Sequence, residues 1–167
     1  LPPYEFVDTN TVYKGQWKDG LRHGRGRQYW IDGSIYIGYW RNDMACGKGR
    51  IIHANGDLYE GYWKDDKAHG RGVYIHKDGT KYDGEWYEDK QHGYGIESWP
   101  DGAVYQGQYY HGNKQGKGTF KWADGSSCEG DFVNNSLNGI ATYYFPDGRS
   151  YNGEWKDGKM HGKGEFS

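Results

Sequence analysis

Histidine and cysteine, both metal-ligand types, recur at one place in this chain. His23, His69, His92 and His161 stand 23 residues or multiples of 23 apart, and Cys46 takes the slot between the first two. A zinc ion needs its ligands about 2.0–2.3 Å from one point. If each copy of the pattern adds two strands, successive copies stand roughly 10 Å apart, and one ion cannot bridge them. The column therefore reads as a residue ending a turn ahead of Gly-x-Gly, and no metal is expected.

The acidic residues point away from catalysis. Most aspartates fall at turn positions, where local side-chain hydrogen bonding accounts for them. Asp65 and Asp66 lie on an exposed turn, without the desolvation that tunes a general acid. The Gly-x-Gly elements open no helix and carry neither Gly-x-Gly-x-x-Gly nor Gly-Lys-Ser/Thr, so they are not phosphate loops. The expectation is a chain with no catalytic residue and no cofactor, not an enzyme.

One column is basic. Arg25, Lys48, Arg71, Lys117 and Lys163 stand between paired glycines, on the strand face opposite the glycines and tryptophans. Such a stripe could meet anionic lipid headgroups at about 1 kcal/mol per basic residue. The alternative is a solvated face paired with acids such as Glu154. Residues 1–50 carry eight basic and five acidic side chains and residues 51–167 carry thirteen and eighteen, so the balance shifts from +3 to −5. The net charge of −2 argues against a nucleic-acid partner.

The elements that position these residues are repeats of 23 residues, which sequence reading should settle first. Tyrosines at 13, 36, 59, 82, 105 and 151 keep that period, with Cys128 in the missing slot. Glycine follows two residues later and an aromatic two further on, from Gly15 and Trp17 to Gly153 and Trp155. Of the 29 glycines, 26 occupy four fixed columns. Leu, Ile, Val and Phe total only 22, whereas aromatics make up 18% of the chain, so tyrosine and tryptophan must supply the buried surface.

Each copy reads as a β-hairpin. Tyr13 to Trp17 alternates aromatic and glycine on one face, the period of a strand. A turn of about six residues, Lys18 to His23, leads to a second strand through Trp30, and Asp32-Gly33 turns into the next copy. Strand glycines imply a close approach, here an aromatic ring lying flat over bare backbone. The fold expected is all-β, an elongated single-layer antiparallel ribbon of β-hairpin repeats. Right-handed twist would wind it into a spiral with an aromatic-lined groove. Residues 1–12 read as the end of a preceding partial repeat or an edge cap, with Pro2 and Pro3 blunting the sheet edge. Residues 13–167 hold seven copies starting at 13, 36, 59, 82, 105, 128 and 151. The chain begins at Leu1 rather than Met, as a piece of something longer would. Cys46 and Cys128 lie almost four copies apart, too far for a disulfide in a linear stack, which suits a reducing, intracellular compartment.

Tyr-x-Gly-x-Trp, then His-Gly-x-Gly and Asp-Gly at this spacing, resembles the MORN (membrane occupation and recognition nexus) repeat over essentially the whole chain. The sixth copy departs from the pattern with Cys128, Phe132, Asn138 and Ala141, which leaves a local kink, a specialised contact or drift open. The resemblance implies a MORN-repeat solenoid-like twisted sheet and an interaction scaffold of cytoskeleton, cilium, flagellum or cell cortex, cytoplasmic or at the membrane periphery. The partner expected is a protein, an amphipathic helix or extended segment, laid on Tyr36, Trp40, Tyr59, Trp63, Tyr82, Trp86, Trp99, Tyr105, Tyr109 and Trp122. The rival implied by the family name is a phospholipid-binding module that brings an attached domain to a membrane, with the basic column carrying the contact. A homodimer through the C-terminal repeat, near Phe166, is a further partner reading.

Overall fold

A computed structural model describes residues 4–6 and 10–167. Among the described residues there are fifteen strands and no helix, and the strands follow chain order in one open antiparallel sheet. They are β1 (Tyr4–Phe6), β2 (Thr11–Lys18), β3 (Leu21–Tyr29), β4 (Ile35–Arg41), β5 (Met44–Ile52), β6 (Leu58–Lys64), β7 (Lys67–Ile75) and β8 (Lys81–Tyr87). After them come β9 (Lys90–Ser98), β10 (Val104–Tyr110), β11 (Asn113–Lys121), β12 (Ser127–Val133), β13 (Ser136–Tyr144), β14 (Ser150–Lys156) and β15 (Lys159–Phe166). The chain is all-β, a β-hairpin repeat ribbon. Two compact units divide it: Leu1–Gly79 with Trp86–Asp89, and Thr80–Glu85 with Lys90–Ser167.

In the first unit, glycines pair with glycines along the run of strands from β2 to β7. Gly15 stands opposite Gly26, Gly26 opposite Gly38, Gly38 opposite Gly49, Gly49 opposite Gly61 and Gly61 opposite Gly72. The tyrosine of each copy lies across the second-strand glycine of the same copy, so a Cβ at Gly26, Gly49 or Gly72 would run into the ring of Tyr13, Tyr36 or Tyr59. The phenol then donates to a carbonyl three residues on: Tyr13 to Gln16 O at 2.7 Å, Tyr36 to Tyr39 O at 2.9 Å and Tyr59 to Tyr62 O at 2.9 Å. That ring is sealed by tryptophans. Tyr36 meets Trp40 and Trp63 edge-on at 5.0 and 5.2 Å between centroids, a favoured aromatic geometry. Trp40 Nε1 donates to Gly26 O at 3.1 Å, Trp63 Nε1 to Gly49 O at 3.0 Å and Trp86 Nε1 to Gly72 O at 3.0 Å. Each tryptophan thus ties its copy to the carbonyl of the copy before.

The second unit repeats the scheme. Gly95 pairs with Gly107, Gly107 with Gly118 and Gly118 with Gly130. Tyr82 and Tyr105 donate to Glu85 O at 2.8 Å and Gln108 O at 2.9 Å. In the sixth copy, Gly130 stands opposite Ala141, with the same bulge between Gly130 and Phe132 that the other copies show, so the ladder keeps its register there. The two departures explain each other. Cys128, with no ring to spread over the next strand, leaves room for the Ala141 methyl. Burial pushes the Cys128 thiol up to about 11, which keeps it a neutral apolar filler at ordinary pH.

The turns differ from the sequence expectation. The six-residue turn at Lys18–His23 is a two-residue turn, and β3 begins at Leu21. Asp19 and Gly20 both have positive φ (52° and 78°), as do Asn42 and Asp43 (48° and 73°) and Asp65 and Asp66 (49° and 68°). Two consecutive left-handed residues match the right-handed twist of a hairpin. The irregularity lies further on, where Gly24 at φ 73° sits beside a register shift between Gly15 and Trp17, a bulge. Asp32-Gly33 closes a three-residue loop. Only Gly33 is left-handed (φ 97°), Trp30 N donates to Ser34 O at 3.0 Å, and Asp32 Oδ1 accepts Ser34 N–H at 2.8 Å. Asp-Gly serves both corners, so the dipeptide alone does not say which corner is tighter.

At the start, β1 pairs with β2 through Tyr4 opposite Tyr13, and Tyr4 meets Trp17 edge-on at 5.6 Å. Asn10 has positive φ, like Gly33 one period on. The reading of residues 1–12 as a partial repeat or edge cap also uses Pro2, Pro3 and Val7, which lie outside the described residues.

Candidate functional site

Strand alternation gives the sheet two unlike faces. The glycine, tyrosine and tryptophan face is called the front here. Of the ten rings expected to meet a partner there, six are consumed by the fold. Tyr36, Tyr59, Tyr82 and Tyr105 are 0–2% exposed, and Trp40 and Tyr109 are 5% and 3% exposed. The reason is geometric: a phenol that must reach a carbonyl three residues away lies flat beneath the tryptophans. Burial accordingly pushes the Tyr36, Tyr59 and Tyr105 phenols well above their ordinary value. Trp63, Trp86 and Trp99 stay half-buried, and Trp122 is exposed.

Two shallow wells open on the front of the first unit, lined in part by the groove residues Trp40, Trp63 and Trp86. One, of about 300 Å³, is walled by Trp30, Trp40, Ile51 and Trp63, with Ala45 at its floor and Asp66 at its side. The next, of about 340 Å³, is walled by His53, Trp63, Tyr74 and Trp86, with Ala68 and Asp89 in the corresponding places. Beside it Tyr74 donates to Asp57 Oδ2 at 2.7 Å, and His76 Nδ1 stands 3.5 Å from the same oxygen.

Two cations on this face are paired within the chain. Arg22 Nε donates to Asp43 Oδ1 at 2.7 Å, and its Nη1 donates to Gln28 Oε1 at 3.1 Å. In the second unit, Tyr109 donates to Glu97 Oε1 at 2.7 Å, and Lys114 Nζ lies 3.4 Å from that oxygen. The turn carboxylates brace the preceding copy: Asp66 Oδ1 accepts Ala45 N–H at 2.6 Å and Asp89 Oδ1 accepts Ala68 N–H at 2.7 Å. The histidine column also braces turns of this kind. Nδ1 of His23, His69 and His92 accepts N–H of Asn42, Glu88 and His111 at 3.5, 3.5 and 3.3 Å. Among the described residues, no three His, Cys, Asp or Glu side chains converge on one point, and the described cysteines, Cys46 and Cys128, are free thiols.

Two of these carboxyls, Asp57 and Asp43, lie below their ordinary value of 3.8. The Tyr74 hydroxyl and Lys77 N–H hold Asp57 down, and at Asp43 the Arg22 hydrogen bonds outweigh an opposing push from burial. A carboxyl depressed in the folded state contributes stability above its unfolded pKa, and that contribution is lost as pH falls through the folded pKa. Melting temperature should therefore hold steady above about pH 5 and fall below about pH 4. A thermal melt series from pH 7 to pH 2 checks it, and a melting point that rises on acidification would contradict it.

The back face is exposed and charged. In the first unit it presents Lys14, Arg25, Arg27, Lys48, Arg50 and Arg71 against Glu60. Arg25 stands over Tyr39 at 5.6 Å and donates from Nε to its hydroxyl at 3.2 Å. An apolar row crosses the same face, with Tyr29 opposite Ile35, Ile35 opposite Ile52, Ile52 opposite Leu58 and Leu58 opposite Ile75. The basic column expected at this face changes character in the second unit. Lys117 stands opposite Asp131, and Lys163 is exposed on the closing strand beside Glu165, one of the acids around it.

Solved structures share this fold at low sequence identity. The TCP10 domain of Danio rerio CPAP in complex with a peptide of Danio rerio STIL matches with a TM-score of 0.55 and 14% identity, over 95% of this chain and 69% of that one. The SAS-4 (dCPAP) TCP domain of Drosophila melanogaster, in complex with a proline-rich motif of Ana2 (dSTIL), matches with a TM-score of 0.55 and 14% identity, over 100% of this chain and 95% of that one. At that identity the likeness is one of fold. Among curated proteins, none matches by sequence. The sequence pattern itself is more telling. The MORN repeat matches at residues 13–35, 36–58, 59–81, 82–104, 105–127, 128–148 and 151–167. With a β-hairpin recurring in each of those segments, the chain is a member of the MORN repeat family.

Proposed function

We propose that this chain is a non-catalytic docking scaffold that holds an extended segment of a protein partner on its front face, within a cytoskeletal or ciliary assembly. The observation that carries this reading is the accessible part of the aromatic layer. In the first unit Trp63 and Trp86 keep ring surface open at wells too shallow to enclose a small molecule, and in the second unit Trp99 and Trp122 keep ring surface open on the front. Tryptophan and tyrosine are the usual anchors of peptide interfaces. Support also comes from the two domains of like fold, each solved with a peptide bound. The cytoskeletal setting rests on the MORN family, whose members include scaffolds of cilia and cell cortex.

Site-specific photo-crosslinking tests the face. Benzoylphenylalanine placed at Tyr74 and Trp122, on the front, should capture protein partners in cells, and the same group at Tyr62 and Tyr94, on the back, should not. Crosslinks confined to Tyr62 and Tyr94 would remove the front-face reading.

The basic back face of the first unit favours a second reading, an anionic phospholipid surface met by Arg25, Lys48 and Arg71 with Tyr39 and Tyr62 beside them. Flotation with phosphatidylserine vesicles should then weaken steeply with added salt. Reversing those three charges should abolish it; binding that survives the reversal rules the lipid contact out.

A further inference from the structure

One position, nine residues after each copy's tyrosine, distinguishes the copies: Arg22, Ala45, Ala68 and Gln91 in the first four, and Lys114 in the fifth. Where it is a cation, the chain sets that cation against its own rings and carboxylates. Arg22 Cζ lies 4.5 Å from the Trp40 centroid, with Nε on Asp43 Oδ1 at 2.7 Å and Nη2 on Asp43 O at 2.8 Å. Lys114 Nζ lies 5.2–5.6 Å from Tyr105, Trp99 and Tyr109 and 3.4 Å from Glu97, with its side chain only 15% exposed.

The second and third copies keep the indole and the turn carboxylate and lack the cation, with Ile51 and Tyr74 in the place of Gln28. One period after Trp40 and Asp43 come Trp63 and Asp66, and one period further come Trp86 and Asp89. Asp66 and Asp89 accept the N–H of Ala45 and Ala68 at 2.6 and 2.7 Å, just as Asp43 accepts Arg22 N–H at 3.2 Å. The carboxylate is therefore held in the same way whether or not a guanidinium lies beside it. With alanine in place of arginine, the space becomes the two wells of about 300 and 340 Å³. Arg22 also reaches the rim of the first well, where Asp43 already neutralises it.

We propose that the wells at Ala45 and Ala68 each take an arginine side chain from one extended partner segment, the guanidinium occupying the place that Arg22 fills in the first copy. This rests on the front-face docking reading. Arginine fits better than lysine because, as Arg22 shows, its flat fork lies on an indole while meeting both the side-chain and the main-chain oxygen of the turn aspartate. Equivalent wells lie two strands apart, about 9.6 Å. A polyproline II segment rises about 3.1 Å per residue with three residues per turn, so arginines at i and i+3 leave it on the same side about 9.3 Å apart. A β-strand would send those two side chains to opposite sides. The partner chemistry is thus Arg-x-x-Arg on a polyproline II backbone, and acidic aromatic wells complement it in charge.

Calorimetry with acetyl-Pro-Pro-Arg-Pro-Pro-Arg-Pro-Pro-amide tests this, against the same peptide with both arginines replaced by citrulline. The arginine peptide should bind at least about tenfold more tightly. Asp66→Asn and Asp89→Asn, which keep an acceptor for the alanine N–H, should each weaken it about tenfold. Ala45→Arg with Ala68→Arg should fill both wells from within, melt no lower than the parent, and lose the peptide. Equal binding of the citrulline peptide, no binding below about 1 mM, or undiminished binding by the folded double arginine variant would each overturn the proposal. Front-face crosslinks at Tyr74 and Trp122 that persist in any of those cases would leave the docking reading standing, whereas crosslinks confined to the back face would end both.

Discussion

Gly49→Ala destabilises the protein by about 3 kcal/mol, and Tyr36→Cys, placed beneath it, removes most of that cost. The added methyl meets Tyr36 Oη and ring carbons at distances no real Cβ tolerates. The ring has nowhere to go: it is 1% exposed, hydrogen-bonded to Tyr39 O and gripped by Trp40 and Trp63. Overpacking of this kind costs about 1–3 kcal/mol, and losing the phenol bond adds about 1 more. The sixth copy already carries the compensated form, with Cys128 and Ala141 in the tyrosine and glycine places. Tyr36→Cys alone should be costly, by about 3–5 kcal/mol as a large-to-small core change. What matters is the coupling: in the Tyr36→Cys background, Gly49→Ala should cost less than about 1 kcal/mol. Urea unfolding of the four proteins in this cycle measures it. Additive effects would mean the ring is not what excludes the methyl.

Trp40→Ala should cost about 3–5 kcal/mol, while Trp122→Ala should stay within about 1 kcal/mol. Trp40 is 5% exposed, packs edge-on against Tyr13 and Tyr36, carries Arg22 on its face and bonds to Gly26 O. Trp122 is 37% exposed and touches Phe120 and Tyr143 at the surface of the layer. Trp40→Phe, which keeps a ring and loses the indole donor, should fall between, near about 1–2 kcal/mol. Similar losses at 40 and 122 would show that the two columns do not differ in structural duty.

The contrast between these tryptophans marks where sequence reading stopped. Period, strand count, glycine packing and the division of faces were all legible, because each is a consequence of spacing. Which rings are buried was not, since Tyr36 and Trp63 look equally suited to a groove. Their difference comes from the phenol hydrogen bond to Tyr39 O, a contact that needs the folded backbone. The corner at Asp19-Gly20 was misjudged for a related reason. The copies fill it with Asp-Gly, Asn-Asp, Asp-Asp, Glu-Asp, His-Gly and Asn-Asn, so no single dipeptide announces two left-handed residues. The wells did leave a trace in the sequence. Ala45 and Ala68 interrupt a column that holds Arg22 and Lys114, but an alanine draws attention only once the neighbouring walls are known.

The tryptophan and turn-aspartate ties between copies run one way, whereas His23, Ser34 and Asp57 brace the copy that follows them. Trp40, Trp63 and Trp86 donate to carbonyls of the copy before them, and Asp43, Asp66 and Asp89 accept N–H groups from the copy before them. The stack therefore has a polarity. Shortening it from the N-terminal side strips a remaining copy of nothing it depends on for these tryptophan and aspartate bonds. Shortening it from the C-terminal side orphans a glycine carbonyl and a strand amide in the last copy kept. During synthesis, each hairpin likewise waits for its successor to leave the ribosome before its own polar groups are satisfied, so the growing end is always the unfinished one.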